Sequence, residues 1–336
     1  MNRFLSASDE ERKALFEQAS EFYDLPVESI EKDLWVTQVL HAVFSLPVSK
    51  HLIFKGGTSL SKAWNVIDRF SEDIDLAIAP SILGIPEGDL TKKQIKKLRK
   101  ASSLFVAEDL ADMLRARLEE MGLKDWLTVT VQPDGEGDNT YPEPRQIYVK
   151  YKSVYDKQSL YLRSDIVLEV SARSLLEPVA DVDIHSMLSE HLPIQDLAPV
   201  PVRTAVAGKT MVEKMFLLHE LFSVPGHGMQ AGRKSRHLYD LYKMMSHPFA
   251  TKAIHDDALW ESVRHHREIY TSVRDMDYTP DVRKRLVLIP REDILEVWHE
   301  DYEHMREVMI YGDKPTWDEL MSAMATLQTQ VREAAK

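Results

Sequence analysis

Residues 54–78, FKGGTSLSKAWNVIDRFSEDIDLAI, contain the pattern that decides the fold. The apolar run at residues 52–54 predicts a strand that leads into two glycines and two hydroxyl residues. The stretch ends at residues 73–76 in Asp-Ile-Asp-Leu, where acids alternate with apolar residues and predict a second strand. Side chains two residues apart on a strand point to the same side. Asp73 and Asp75 are therefore expected to converge on one point, with the apolar pair facing the core.

The residues between these strands predict a helix and a phosphate site. Apolar residues share one face as far as Ile67, so the helix is expected to reach that residue. Glycines remove side chains where backbone must approach a phosphate, and the start of a helix presents free N–H groups to an anion. The residues predicted to hold the β- and γ-phosphates of a nucleotide are Gly56, Gly57, Thr58 and Ser59.

The acidic pair suits a divalent metal, because Mg²⁺ binds one or two carboxylates together with phosphate oxygens and water. Asp73 and Asp75 are the predicted ligands of Mg²⁺ or Mn²⁺. Taken singly, a Gly-Gly turn is most often only a turn, and an Asp-x-Asp pair is often a solvated strand edge. The two together, about one helix apart, are much more specific for nucleotide chemistry.

The stretch resembles the AbiEii/AbiGii nucleotidyltransferase toxin family, within the DNA polymerase beta-like nucleotidyltransferase superfamily. The resemblance is carried by GGTSLSK followed by RFSEDIDL. The match to the family, as distinct from the superfamily, rests on the flanking residues Lys62, Arg69, Phe70 and Ser71. The resemblance implies an α+β (mixed α/β) fold, with a nucleotidyltransferase core around a small mixed sheet and a helical C-terminal domain. It also implies an NTP substrate, to which Lys62 is expected to contribute.

A third carboxylate is predicted in residues 164–171, SDIVLEVS, which read as a strand. A carboxylate in so apolar a strand is costly unless a cation or metal pairs with it. Polymerase beta-like enzymes carry a third carboxylate on a strand beside the Asp-x-Asp strand. Glu169 is the first candidate for this metal ligand and Asp165 the second.

The C-terminal part contains a second group of candidate residues, in EK, LHE and SRHLYDLY between residues 213 and 242. The AbiEii-like family has a lysine on one helix and an aspartate in an (R/H)-x-x-D-L segment on a later one. By this resemblance Lys214 is a catalytic residue and triphosphate contact, and Asp240 a catalytic polar partner. Arg236 is a further phosphate candidate because its guanidinium suits bidentate anion binding. The alternative is an ordinary surface pair of Arg236 with Asp240, worth well under ~1 kcal/mol.

Composition excludes several classes of protein. The chain has 336 residues, no cysteine and no apolar run of 18 residues, so disulfides, thiolate metal sites and a membrane-spanning helix are not expected. The first residues, MNRFLSASDEERK, lack a signal-peptide core, and the simplest location is the cytoplasm. The net charge of −12 argues against broad coating of nucleic acid but leaves room for a local basic surface.

The order of predicted elements places two domains, residues 1–180 as the nucleotidyltransferase core with N-terminal helices and residues 181–336 as the helical domain. Residues 176–202, with four prolines, are interpreted as a connector. A long helix is predicted over residues 91–121, and its basic start is either a solvated face or an RNA-backbone contact. Lys32, on a helix over residues 27–44, is interpreted as a surface lysine, with approach to the nucleotide as the alternative.

These observations predict a metal-dependent enzyme that transfers NMP from an NTP to an acceptor hydroxyl. The family resemblance implies RNA as the acceptor, with the tRNA 3′ end favoured, and a toxin role in a toxin–antitoxin or phage-defence system with a cognate antitoxin. One alternative is nucleotidylation of a protein or a small molecule by the same site. Another is a nucleotide-binding regulatory module without turnover.

Overall fold

The computed structural model describes residues 2–155, 165–191 and 198–335. The chain divides into two compact units. The first comprises Met1–Ala63 and Ser71–Ala205, and the second comprises Trp64–Phe70 and Val206–Lys336. The short segment that links the Gly-Gly helix to the Asp-x-Asp strand therefore belongs to the second unit, although the elements on both sides of it belong to the first.

A seven-stranded mixed sheet forms the centre of the first unit. Its strand order is β3-β4-β5-β2-β1-β7-β6. The pairs β2–β5 and β1–β7 are parallel, and the other neighbours are antiparallel. The strands are β1 Leu52–Lys55, β2 Ile74–Ile78, β3 Leu127–Val131, β4 Arg145–Tyr151, β5 Asp165–Ser171, β6 Val179–Ile184 and β7 Val200–Ala205.

Helices cover this sheet, and the predicted entry helices are present. Ser8 and Glu11 form the capping box that starts the second helix. The predicted long helix is present as two helices joined by a π-helical turn at Val106–Leu110. The helices of the first unit are α1 Asn2–Ser6, α2 Asp9–Tyr23, α3 Val27–Phe44, α4 Gly56–Lys62, α5 Lys92–Phe105, α6 Ala111–Glu120 and α7 Met187–His191.

Two local predictions were wrong. Helix α4 ends at Lys62, because the chain passes into the second unit at Trp64. The predicted connector contains β6 and the first half of β7, which pair antiparallel with Pro201 opposite Asp183. A proline cannot donate to a strand ladder, which argues against a central strand. Strand β7 nevertheless pairs with β1 at Thr204, beyond that proline, so the missing N–H is tolerated.

The second unit consists mainly of helices, as predicted for the C-terminal part of the chain. Aromatic pairs such as Phe222 with Trp298, whose rings lie 4.6 Å apart, fill its core. Its segment at residues 64–70 is held by backbone hydrogen bonds, including Phe70 N–H to the carbonyl of Met309 at 2.8 Å. The helices are α8 Ala207–Ser223, α9 Arg236–Met244, α10 Pro248–His255, α11 Asp257–His266, α12 Leu295–Val308 and α13 Trp317–Glu333.

The predicted fold class is confirmed, with a mixed sheet in the first unit and C-terminal helices in the second. Among the described residues, no helix is both long enough and apolar enough to cross a membrane.

Candidate active site

The turn between β1 and α4 brings backbone directly against a carboxylate. Gly56 has φ of +77°, a conformation that costs side-chain-bearing residues but not glycine. A Cβ atom at this position would lie 2.0 Å from Oδ2 of Asp75. Glycine is therefore required at position 56 both by the backbone conformation and by the space that the carboxylate occupies.

The two hydroxyl residues of this turn hold the turn itself. Ser59 is buried, and its Oγ donates to the carbonyl of Gly56 at 2.8 Å. Thr58 is also buried, and its hydroxyl contacts the Asp73 carbonyl and, at 2.9 Å, the Ser71 hydroxyl. Thr58 thus fixes the start of the Asp-x-Asp segment and Ser59 fixes the turn, so contact of either hydroxyl with a phosphate would require it to exchange partners.

A row of four polar side chains crosses the sheet beside this turn. Asp75 on β2 is paired in register with Lys55 on β1 on one side and with Glu169 on β5 on the other. Glu169 is in turn paired with Gln146 on β4. Residues paired in register project from the same face of a sheet. The row therefore reads cation, carboxylate, carboxylate, amide, and the predicted third carboxylate lies beside the Asp-x-Asp pair.

The neighbouring carboxylates repel one another. Burial raises the pKa of Glu169 above its ordinary value, and the negative charges of Asp75 and Asp73 raise it further. A hydrogen bond of 2.6 Å from the Gln146 amide and the charge of Lys55 oppose this rise without cancelling it. The row itself thus holds two carboxylates and one cationic side chain, Lys55.

The donor set fits a divalent cation. Hard carboxylate oxygens are the ligands that Mg²⁺ and Mn²⁺ take, and a cation would relieve the repulsion that raises the pKa of Glu169. Within the described ranges, no three His, Cys, Asp or Glu side chains are already gathered at metal-binding distances. Asp165 lies four residues before Glu169 on β5, about 13 Å away along the strand, so Glu169 is the better placed of the two candidates.

Two buried ion pairs support the same region from α3. Lys32 is fully buried, and its Nζ lies 2.5 Å from Glu72, the residue before Asp73. The interpretation of Lys32 as a surface lysine was therefore wrong, and the cause is the three-dimensional packing of α3 rather than its sequence pattern. Lys62, the predicted nucleotide contact, forms an ion pair with Asp33, and both side chains are only 7% exposed.

The remaining sequence candidates lie in the second unit. Asp240 on α9 is fully buried and accepts two hydrogen bonds from Arg69, at 2.6 and 2.8 Å. The Nζ of Lys214 on α8 lies 2.9 Å from Oδ2 of Asp240. The structure therefore joins both Arg69 and Lys214 to Asp240. Arg236 itself is half-buried at the start of α9.

The cluster around Asp240 contains more cationic than anionic side chains. Burial alone would raise the pKa of Asp240, but the charges of Arg69 and Lys214 outweigh it and hold the pKa well below its usual range. Burial lowers the pKa of Lys214, and the positive charges of Arg69 and Arg236 lower it further against the pull of Asp240. His237 contacts the Lys214 ammonium through Nδ1 at 3.2 Å. The cluster is thus an anion enclosed by cations.

Sequence reasoning missed Gln146, Lys55 and the pairing of Arg69. Gln146 begins a stretch of alternating apolar and polar residues but belongs to no motif, and Lys55 precedes the glycines without any distinguishing context. Their importance comes from strand register, which a single sequence does not give. Arg69 belongs to the family motif, but its partner is 171 residues away, and no local pattern connects the two.

Together, the glycine turn and the carboxylates beside it have the arrangement expected of a nucleotidyltransferase site. A family model for the AbiEii nucleotidyl transferase toxin of type IV toxin–antitoxin systems matches residues 39–323. The match covers most of the chain, so the chain belongs to this family and is a nucleotidyltransferase. The predicted membership and enzyme class are confirmed.

Among solved structures, the chain is similar to MenT4, a nucleotidyltransferase toxin of Mycobacterium tuberculosis. The sequences are 16% identical, the alignment covers 95% of this chain and 87% of that one, and the TM-score is 0.48. No curated protein matches the chain. Family membership implies a nucleotide substrate and an antitoxin partner.

Proposed function

We propose that this protein transfers a nucleoside monophosphate from an NTP to a hydroxyl of RNA, at the 3′ end of tRNA, with Mg²⁺ or Mn²⁺ as the cofactor. The observation that carries the proposal is the pairing of Asp75 with Glu169 directly beside the Gly56 turn. Nucleotidyl transfer needs negative charge gathered where a cation and a polyphosphate meet, and this row of side chains supplies it.

Three carboxylates are proposed to bind the divalent ions. Asp73, Asp75 and Glu169 would be the protein ligands, and when bound, such ions neutralise charge on the entering and leaving oxygens. In the reaction, the acceptor hydroxyl gives up its proton to solvent and its oxygen forms a bond to the α-phosphorus, while the bond from that phosphorus to the bridging oxygen breaks and pyrophosphate leaves. Gln146 orients Glu169, and its own amide is oriented by the hydroxyl of Tyr148, which donates to its Oε1 at 2.7 Å.

The phosphate contacts are proposed in two groups. The turn at Gly56 and Gly57 offers backbone without side chains in the way, and Thr58 and Ser59 shape that turn. Lys62, Lys214 and Arg236 are the proposed cationic contacts. Lys214 is held by Asp240 at 2.9 Å, so the proposed role of Asp240 is to orient the ammonium and keep it charged.

The proposed biological role is supported by family membership. As a member of a type IV toxin family, the protein is proposed to act on RNA in the cytoplasm, as the toxin of a toxin–antitoxin pair with a function in phage defence. Modification of a protein or a small molecule by the same site is the competing proposal. Both use the same carboxylates, and they differ only in the acceptor.

A labelling assay tests the proposal. The purified protein is incubated with total RNA, each α-³²P-labelled NTP in turn, and Mg²⁺ or Mn²⁺. We expect a labelled RNA band for the unaltered protein and none for Asp73→Ala, with Asp165→Asn as the matched control on a neighbouring carboxylate outside the row. A labelled protein band without labelled RNA would overturn the choice of acceptor. If no labelled product forms under any of these conditions, the proposal of catalysis is overturned and a regulatory module is favoured.

A further inference from the structure

Helix α5 presents an unusual concentration of positive charge. Six of the nine residues from Lys92 to Lys100 are basic, and residues 90–107 contain no acid, in a chain with 54 acidic residues among 336. The five lysines of this run, which we name the α5 ridge, lie on the outer side of the helix: Lys92, Lys93, Lys96, Lys97 and Lys100.

The α5 ridge occupies one side of the helix. At 100° per residue its five lysines fall within an arc of about 140°, and they extend about 12 Å along the axis. The opposite side carries Leu98, which is fully buried. Burial of that side fixes the rotation of the helix, so the lysines cannot turn away from solvent. The ridge is therefore a rigid feature of the first unit.

This arrangement is electrostatically unfavourable to the folded protein by itself. Lysines three or four residues apart repel, by about 0.2–0.5 kcal/mol for each pair. Lys92 and Lys93 also lie in the first turn, where the positive end of the helix dipole disfavours cations. Across the described residues, no lysine of the ridge forms an ion pair with an acid. A bound polyanion would relieve all of these repulsions at once.

An aromatic ring lies at the end of the α5 ridge. Nζ of Lys100 is 4.9 Å from the ring centre of Tyr141, which is half-buried. On the loop that carries this tyrosine, Asp134 is paired with Arg145 and Glu143 with Arg173. Those two acids are thus already neutralised. Among the side chains that the structure describes, the exposed acids in the segments flanking α5 and on this loop are Glu87, Asp89, Glu108, Asp109 and Glu136, besides the paired Asp134.

We infer that the α5 ridge, together with Tyr141, is the surface on which the backbone of a single-stranded RNA segment docks. Lysines in a row fit successive phosphates, and an accessible aromatic ring beside them fits a stacked base. A surface needed only for solubility would not require an acid-free run in a protein that already carries a charge of −12. The inference rests on the proposed function, because it names the docking surface for the RNA acceptor.

The test compares two charge-reversal pairs by fluorescence anisotropy with a labelled single-stranded RNA at several salt concentrations. We expect Lys93→Glu/Lys97→Glu to weaken binding on the order of 10–100-fold at low salt. The slope of log Kd against log salt should fall by about 1.4, or 0.7 for each phosphate that a replaced lysine had neutralised. The control is Lys50→Glu/Lys252→Glu, which changes the net charge equally at two other exposed lysines. Equal weakening by both pairs would overturn the inference.

Tyr141→Ala gives a second, independent signature. Removal of the stacking ring should weaken binding roughly tenfold and leave the salt slope unchanged, because the lysines still neutralise the same phosphates. Competition with poly-glutamate distinguishes RNA from an acidic protein partner. Competition as effective as that of unlabelled RNA at equal charge would overturn RNA as the occupant.

Failure of the docking inference can be distinguished from failure of the proposed function. If the unaltered protein labels RNA and the ridge variant binds and labels RNA equally well, the docking inference is wrong and the function stands. If the ridge variant no longer binds RNA but the unaltered protein labels no RNA, the docking surface stands and the proposed function is wrong. Thermal unfolding of both charge-reversal variants checks that each remains folded.

Discussion

Two groups of carboxylates, one in each unit, are built in opposite ways. In the first unit, Asp75 and Glu169 lie side by side, and their mutual repulsion helps to raise the pKa of Glu169. In the second unit, Asp240 is buried alone between Arg69 and Lys214, and its pKa is held well below the usual range. One group has unneutralised negative charge, and the other is fully compensated by cations.

The difference separates carboxylates that have too few cationic partners from a carboxylate that already has two. Like charges held together lower the stability of the fold unless a cation binds, so the first group is suited to taking a divalent ion. A buried carboxylate with two cationic partners is complete, and removal of one partner leaves a charge without compensation. The first group is therefore expected to control activity, and the second to control stability and the orientation of Lys214.

The largest expected effect is the fall in activity when the first group is altered. Asp75→Asn should reduce the rate of nucleotidyl transfer by at least about a thousandfold, because metal ligation supplies several kcal/mol of transition-state stabilisation. Its stability to urea should be unchanged or higher, since the repulsion with Glu169 is removed. The rate is measured with labelled NTP, and Asp165→Asn should retain it. A large drop in the stability of Asp75→Asn would contradict the expected difference between the two groups of carboxylates.

The next effect is on folding and concerns the second group. Asp240→Asn should lower the free energy of unfolding by about 3–5 kcal/mol, because Arg69 and Lys214 are left buried without a compensating anion. Urea unfolding measures the change. Asp68→Asn is the matched control, since its pair with Lys243 at 2.7 Å is partly exposed and should be worth less than about 1 kcal/mol. Equal effects of the two variants would show that burial does not matter here.

The pH dependence of stability provides a third comparison. The pKa of Asp240 is lower in the folded protein than in the unfolded chain, so its contribution is fully present above the unfolded pKa and is lost as pH falls through the folded pKa. The stability difference between the unaltered protein and Asp240→Asn should therefore be greatest at neutral pH and shrink below about pH 4–5. Urea unfolding between about pH 7 and pH 3 measures it. A difference that stays constant with pH would contradict the assignment.

The smallest expected effect is stabilisation by the metal itself. A ligand at about ten times its Kd stabilises a folded protein by about 1.4 kcal/mol. Mg²⁺ should therefore raise the free energy of unfolding of the unaltered protein by roughly this amount. Asp75→Asn should show no rise, and Asp240→Asn should show the same rise from a lower starting stability. Sodium chloride at equal ionic strength controls for screening, and an equal response to it would exclude a specific site.

Much of the candidate site could be predicted because it is local. Gly56, Gly57, Asp73 and Asp75 lie within 20 residues, and strand alternation places the two aspartates on one side. Glu169 could be proposed because a carboxylate stands out in an apolar strand. Gln146 could not, since its link to Glu169 depends on the register between β4 and β5, and nothing in residues 145–151 specifies that register.

Three wrong predictions share one cause. Lys32 has the spacing of a surface residue, but α3 is almost wholly enclosed, and the lysine pairs with Glu72. Residues 64–70 continue an apolar pattern, yet tertiary contacts draw them into the second unit and end α4. Residues 176–202 contain prolines that suggest a connector, yet the described part of this range forms β6 and the first half of β7. In each case packing against distant residues outweighed the local pattern.

The sequence by itself determined the class of protein, the positions of the predicted phosphate turn and the acidic pair, and the succession of a sheet followed by helices. It could do so because these features depend on residue types and spacings of a few positions. Only the tertiary structure decided which carboxylates share a row, which cations enclose Asp240, and that Arg69 binds this aspartate through two hydrogen bonds. The physical reason is that register and burial join residues far apart in the chain, and both set the charge around each group.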